Sequence, residues 1–132
     1  MTVLVGYVPS ALGEAVLGAA VEQARFRDEP VLVVNTSRGD AYVDPRFAQD
    51  HDLERVRREL TGLGVRHSVR QLVRGRDAAE EIVELAESED VSLVVIGIRQ
   101  RTPVGKLIMG STAQEILLGA RCPVLAVKID GV

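Results

Sequence analysis

Between two apolar runs, Leu93-Val94-Val95-Ile96 and Val124-Leu125-Ala126-Val127, the chain carries its densest set of residues suited to holding a phosphate. Gly97 ends the first run. Arg99, Arg101 and Lys106 follow, and then Gly110, Ser111, Thr112, Ala113 and Gln114. Ser111 with Gln114 three residues on has the form of a capping box, so the spacing predicts a helix that starts there. A helix N-terminus leaves backbone N–H groups without intrahelical acceptors and carries a partial positive charge, which suits an anion. Glycine at 110 lets a ligand approach the backbone with no Cβ in the way. The three cations add to the same field and could neutralise phosphates, although loop charges are more often merely solvated. Gln100 either narrows the space near a phosphate or donates an amide hydrogen bond to it.

Other chemistries find less support. A P-loop needs glycine at 100 and Ser or Thr at 107, where the chain has Gln100 and Leu107, and no G-x-G-x-x-G is present. Cys122, beside Pro123, reads as a buried structural thiol. His51 and His67 stand apart from one another and from any metal-ligand spacing. Glu80, Glu81, Glu84 and Glu87 read as the solvated face of a helix. The loop from Thr36 to Asp50 is long, and Tyr42, Arg46 or Phe47 could cover a site; an ordinary surface loop fits it as well.

The elements that must position these residues alternate. Val3–Val8 and Val31–Asn35 read as buried strands, and Val65–Val73 as a more polar edge strand. Helices are expected over Glu14–Arg27, Asp50–Leu63, from Asp77 (with Glu80 as a second capping pattern), and Ser111–Leu118. With the runs at 93 and 124, the order β-α-β-α-β-α-β-α-β implies a five-stranded parallel α/β sheet, its crossovers right-handed and its helices on both faces. At 132 residues, 46% hydrophobic and 27% charged, this is one ordinary globular domain, 1–132. A net charge of −3 and 3% aromatic residues favour neither nucleic acid nor an anionic membrane as partner. There is no apolar run of spanning length. Met1-Thr2-Val3 enters a strand with no basic leader, and with one cysteine a cytoplasmic location is expected.

The spacing of Gly97, twelve residues, then Gly110-Ser111, and the ending Arg121-Cys122-Pro123-Val124-Leu125-Ala126-Val127, resemble the universal stress protein family. Its nucleotide-binding members carry G-x2-G-x9-G-[ST] after the fourth strand; Gly97, Gly110 and Ser111 match, and Gln100 stands in place of the second glycine. The resemblance implies a Rossmann-like fold of the adenine nucleotide alpha hydrolase type, with strand order 3-2-1-4-5. Its ligand site lies at the carboxyl ends of strands 1 and 4. It implies a nucleotide site built from Val8, Pro9, Ser10, Asn35, Gly97, Arg99, Gln100, Gly110, Ser111 and Thr112, with Asn35 contributing main chain to adenine. Val8 occupies the place of an Asp that contacts the nucleoside in the family. The function so implied is that of an adenine-nucleotide-binding stress-response regulator without committed catalysis. Its expected ligand is ATP or AMP, with Mg²⁺ arriving on the nucleotide, and ATP affinity below that of members with the full motif. A homodimer through Val124–Val127 is expected from the uncharged edge strand. The alternatives are a dimeric interaction module of the same fold that binds no ATP, and a slow nucleotide hydrolase or phosphotransferase.

Overall fold

The computed structural model describes residues 1–37, 48–73, 77–98 and 110–129. Five strands alternate with four helices: β1 (Thr2–Gly6), α1 (Ala11–Arg27), β2 (Val31–Ser37), α2 (Asp50–Gly62), β3 (His67–Val73), α3 (Ala78–Ser88), β4 (Val91–Gly97), α4 (Ser111–Gly119) and β5 (Val124–Val127). All four pairings are parallel and the order is β3-β2-β1-β4-β5, as expected. Consecutive strand residues face opposite sides, so each central strand feeds two cores. Val3, Val5, Val31, Val33, Leu93 and Val95 pack under α1 and α2, while Leu4, Leu32, Val34, Val94 and Ile96 pack under α3 and α4. Burial on both faces explains why these strands read as unbroken apolar runs.

Several boundaries differ from the expected ones for local reasons. β1 ends at Gly6, where its register with Val34 of β2 stops, so Tyr7 and Val8 leave the sheet; the Tyr7 N–H still donates to Val34 O at 2.9 Å. α1 starts at Ala11 rather than Glu14, because the Ser10 side chain accepts from Gly13 N at 3.0 Å and caps the helix. β3 starts at His67 rather than Val65, because Val65 N–H turns back to Leu60 O at 3.1 Å after Gly64, whose φ is +71°. Of the glutamates expected in water, Glu80, Glu84 and Glu87 are exposed, but Glu81 is only 3% exposed. It shares the inward row of α3 with Ala78 and Leu85, at i−3 and i+4. Cys122 is half-buried against the α3/α4 core, and burial pushes its thiol pKa up, in keeping with a structural role. Among the described residues no helix is long and apolar enough to cross a membrane.

Candidate functional site

The chain changes direction across the sheet between β1 and β4, and that is where a cavity of about 750 Å³ opens. Its walls come from six elements. The end of β1 and the turn after it supply Gly6, Tyr7, Val8 and Ser10, and α1 adds Leu12, Gly13 and Val16. The end of β2 gives Val34 and Thr36; α3 gives Ala78 and Ile82. Ile96, Gly97 and Ile98 close the β4 side, and Gly110, Thr112, Ala113 and Ile116 bring in the start of α4.

Of the residues singled out from the sequence, the cavity gathers Val8, Ser10, Gly97, Gly110 and Thr112. Pro9, Asn35 and Ser111 are not among its lining residues. Arg99 and Gln100 lie outside the described residues, as do Arg101, Lys106, Tyr42, Arg46 and Phe47. Asn35 falls between Val34 and Thr36, so strand alternation turns its side chain to the other face. There it is 1% exposed and makes a buried tie: Nδ2 donates to Tyr7 O at 2.9 Å, while Oδ1 accepts from Ala48 N at 3.1 Å and Gln71 Nε2 at 3.0 Å. It thus joins β1, β3 and the approach to α2, and in doing so fixes the turn that carries Val8.

The helix end at the mouth differs from the expected capping box. Gly110 is the N-cap residue, in extended conformation, and Ser111 is the first helical residue, exposed to solvent. The first intrahelical bond runs from Gln114 N to Gly110 O at 3.1 Å, so Ser111 is not the cap and Gln114 lies one position beyond the residue that could close a box with Gly110. The cap has no side chain to bond the first turn. The N–H groups of Ser111, Thr112 and Ala113 therefore have no acceptor within the helix, and they lie at the cavity mouth.

The glycines divide by role. A Cβ on Gly97 would come to 2.8 Å from Leu12 Cγ and 2.9 Å from Val16 Cγ2, so α1 can lie across β4 only because that position is bare. A Cβ on Gly13 would overlap the carbonyl oxygen of Val8. A Cβ on Gly110 meets no described atom within 4 Å.

A polar cluster behind the cavity escaped the sequence reading. The Tyr7 hydroxyl donates to Glu14 Oε1 at 3.1 Å and accepts from Arg55 Nη2 at 3.0 Å, and Arg55 also pairs with Glu14. Burial first, then the Glu14 charge, pushes the Tyr7 pKa up to about 12. The hydrogen bond that Arg55 donates to Glu14 holds the guanidinium protonated well beyond its ordinary range. The expected helix start at Glu14 put that residue in the right turn; nothing in spacing pointed to Arg55, which arrives through the packing of α2. Among the described residues no group of three or more His, Cys, Asp or Glu is placed to hold a metal.

In open parallel α/β sheets, ligands bind in the crevice outside the carboxyl ends of the strands at the switch point, which is where this cavity lies. The Universal stress protein family matches residues 1–128, and the chain belongs to that family. It is 46% identical, over 98% of both chains, to a universal stress protein of Mycolicibacterium smegmatis. Among solved structures, a universal stress protein from Archaeoglobus fulgidus superposes with a TM-score of 0.80 at 34% identity, covering 96% of this chain and 97% of that one. Another structure of the universal stress protein from that organism, in complex with dAMP, gives a TM-score of 0.72 at 28% identity over 96% of both chains. A structural relative of this chain therefore binds a nucleotide.

Proposed function

We propose that this protein is an adenine-nucleotide-binding regulator whose ligand occupies the cavity between the ends of β1 and β4. The observation that carries the reading is the joining of an apolar cavity, large enough for a nucleoside, to the uncapped N-terminus of α4. The apolar walls suit a base, and the first-turn N–H groups suit its phosphate. The dAMP bound by a structural relative supports the same ligand class. Val8 offers no hydrogen bond to a nucleoside, so ATP binds more weakly here than in members with a carboxylate at that position. Mg²⁺, where present, comes with the phosphates. Calorimetry with AMP, ADP and ATP, with and without Mg²⁺, tests the reading. One nucleotide per chain is expected, with affinity lost at least tenfold in Gly110→Val; unchanged affinity in a folded Gly110→Val protein contradicts the site.

A second reading, a dimeric interaction module, is favoured by β5. It is an edge strand of four half-buried apolar residues. The carbonyls of Pro123 and Val127 accept from Val94 N and Ile98 N, at 3.0 and 2.9 Å, so these alternate residues face β4. By the same alternation Val124 and Ala126 turn their N–H and C=O groups outward. Pairing with the β5 of a second copy would satisfy them. Sedimentation equilibrium at micromolar concentration should give a dimer that Ala126→Pro weakens; a wild-type monomer contradicts it.

A further inference from the structure

We propose that Arg55, which stands on α2 outside the cavity, positions the wall of the nucleotide site by way of Tyr7, so that the seating of α2 on the sheet sets how tightly nucleotide binds. The inference rests on the nucleotide reading above and names a control on that same site. Arg55 is not among the cavity's lining residues; Tyr7 is, between Gly6 and Val8.

Tyr7 directly follows β1 and is tied to α2 at both of its ends. At the side-chain end, its hydroxyl accepts from Arg55 Nη2 at 3.0 Å and donates to Glu14 Oε1 at 3.1 Å, and Arg55 also pairs with Glu14. The hydroxyl is thus held between α1 and α2. At the main-chain end, Tyr7 O accepts from Asn35 Nδ2 at 2.9 Å, and Asn35 Oδ1 accepts from Ala48 N at 3.1 Å. Gln71 Nε2 reaches both Asn35 Oδ1, at 3.0 Å, and Ala48 O, at 2.7 Å. Ala48 is fully buried and lies just ahead of the α2 cap, Gln49. One helix therefore grips a wall residue of the cavity twice, through its approach and through its second turn.

The Tyr7 ring carries this grip to the turn after β1. Its Cε1 lies 3.4 Å from where a Cβ on Gly13 would stand, and the carbonyl oxygen of Val8 overlaps that same point. Ring, carbonyl and α1 meet in one close-packed contact, so a shift of the ring displaces the turn that carries Val8 and Ser10. The bonds persist at neutral pH, because a Tyr7 pKa of about 12 keeps the proton shared with Glu14 and Arg55 stays charged. Hydrogen bonds to an ionised partner are the stronger ones. Without Arg55 the hydroxyl keeps its bond to α1 and loses its bond to α2. The turn then samples more positions, and apparent affinity falls with the population of the competent one. By linkage, bound nucleotide steadies α2 in return.

Equilibrium dialysis of the full chain with AMP and with adenosine gives the test. The proteins are the wild type, Arg55→Met, Arg55→Lys, Tyr7→Phe and the double variant of Arg55→Met with Tyr7→Phe, each shown to be folded by circular dichroism. Arg55→Met should weaken both ligands by about threefold or more. Arg55→Lys should recover part of the loss, since an ammonium donates to Tyr7 and Glu14 together. In the Tyr7→Phe background, Arg55→Met should change affinity by less than about 1.5-fold, the mark of a residue that acts through the hydroxyl. A change below about twofold in Arg55→Met itself overturns the inference and leaves nucleotide binding intact. So does a loss confined to AMP, which assigns the effect to charge acting on the phosphate. An equal loss in both Tyr7 backgrounds, or Arg55→Lys as weak as Arg55→Met, overturns the path through Tyr7. Failure of the wild type to bind either ligand overturns the nucleotide reading and this inference with it.

Discussion

Gly97 and Gly110 belong to one spacing in the sequence but serve opposite purposes in the fold. At Gly97 the protein fills the space that the missing side chain leaves: Leu12 and Val16 of α1 come within 3 Å of where a Cβ would stand. At Gly110 no described atom comes within 4 Å. The first glycine is a packing requirement that lets α1 cross the end of β4. The second leaves room at a helix end whose first N–H groups have no acceptor inside the helix. A motif written as a row of glycines therefore mixes two demands, and only the neighbours of each Cβ position separate them.

Paired substitutions sharpen that contrast. Gly97→Val should be the most damaging, because overpacking a filled site costs about 1–3 kcal/mol and here the obstacles are two side chains of one helix. Urea unfolding should place the loss at the upper end of that range; a loss below about 0.5 kcal/mol would show that α1 shifts freely and that the packing reading is wrong. Asn35→Ala comes next, at about 1–3 kcal/mol, since it leaves buried partners at Tyr7 O and Ala48 N without their bonds. It should also weaken nucleotide binding by loosening the β1 turn, which calorimetry on the folded variant would show.

Tyr7→Phe should be milder, about 0.5–1.5 kcal/mol at neutral pH, because the Arg55–Glu14 pair survives it. Its pH dependence is more telling. The Tyr7 pKa is raised to about 12 in the folded state from an ordinary 10.0, so the folded protein holds this proton more tightly than the unfolded chain does. That contribution is complete below pH 10 and is lost as pH climbs towards 12. The wild type should therefore lose stability across this alkaline range by more than Tyr7→Phe does, in denaturant melts at stepped pH; parallel curves for the two proteins contradict the cluster. Smallest is Gly110→Val, whose free energy of unfolding should stay within about 0.5 kcal/mol of wild type while its nucleotide affinity falls. Equal loss of stability at 97 and 110 would erase the distinction between the two glycines.

The fold was legible because its strands advertise themselves. Runs such as Val31–Val34, apolar on both faces and punctuated by Pro30 at one end, leave little besides a buried parallel strand. The strand order and the place of the cavity came through the family resemblance together with the glycine spacing, and the structure puts Val8, Ser10, Gly97, Gly110 and Thr112 around one space. What stayed hidden depends on contacts between distant segments. The Ser111–Gln114 pair looks like a capping box because a one-residue shift of a helix start does not alter local composition. Glu81 sits among three other glutamates, and only the packing of α3 decides which of them turns inward. Arg55 reaches Glu14 across 41 residues of chain, a separation to which no local pattern is sensitive. Asn35 was picked for its backbone, whereas its side chain is the tie that holds the β1 turn, a role set by its cross-strand partner Gln71.

The central claim is that an adenine nucleotide lies across the ends of β2, β1 and β4 with its phosphate at the start of α4. Photolabelling with an azido-adenosine monophosphate, followed by peptide mapping, tests it most directly. The expected adducts fall within the Gly6–Ser10 turn and at Val34–Thr36, and excess AMP suppresses them. Protectable adducts on α2 or the β3 edge instead, or no protectable adduct at all, would contradict it.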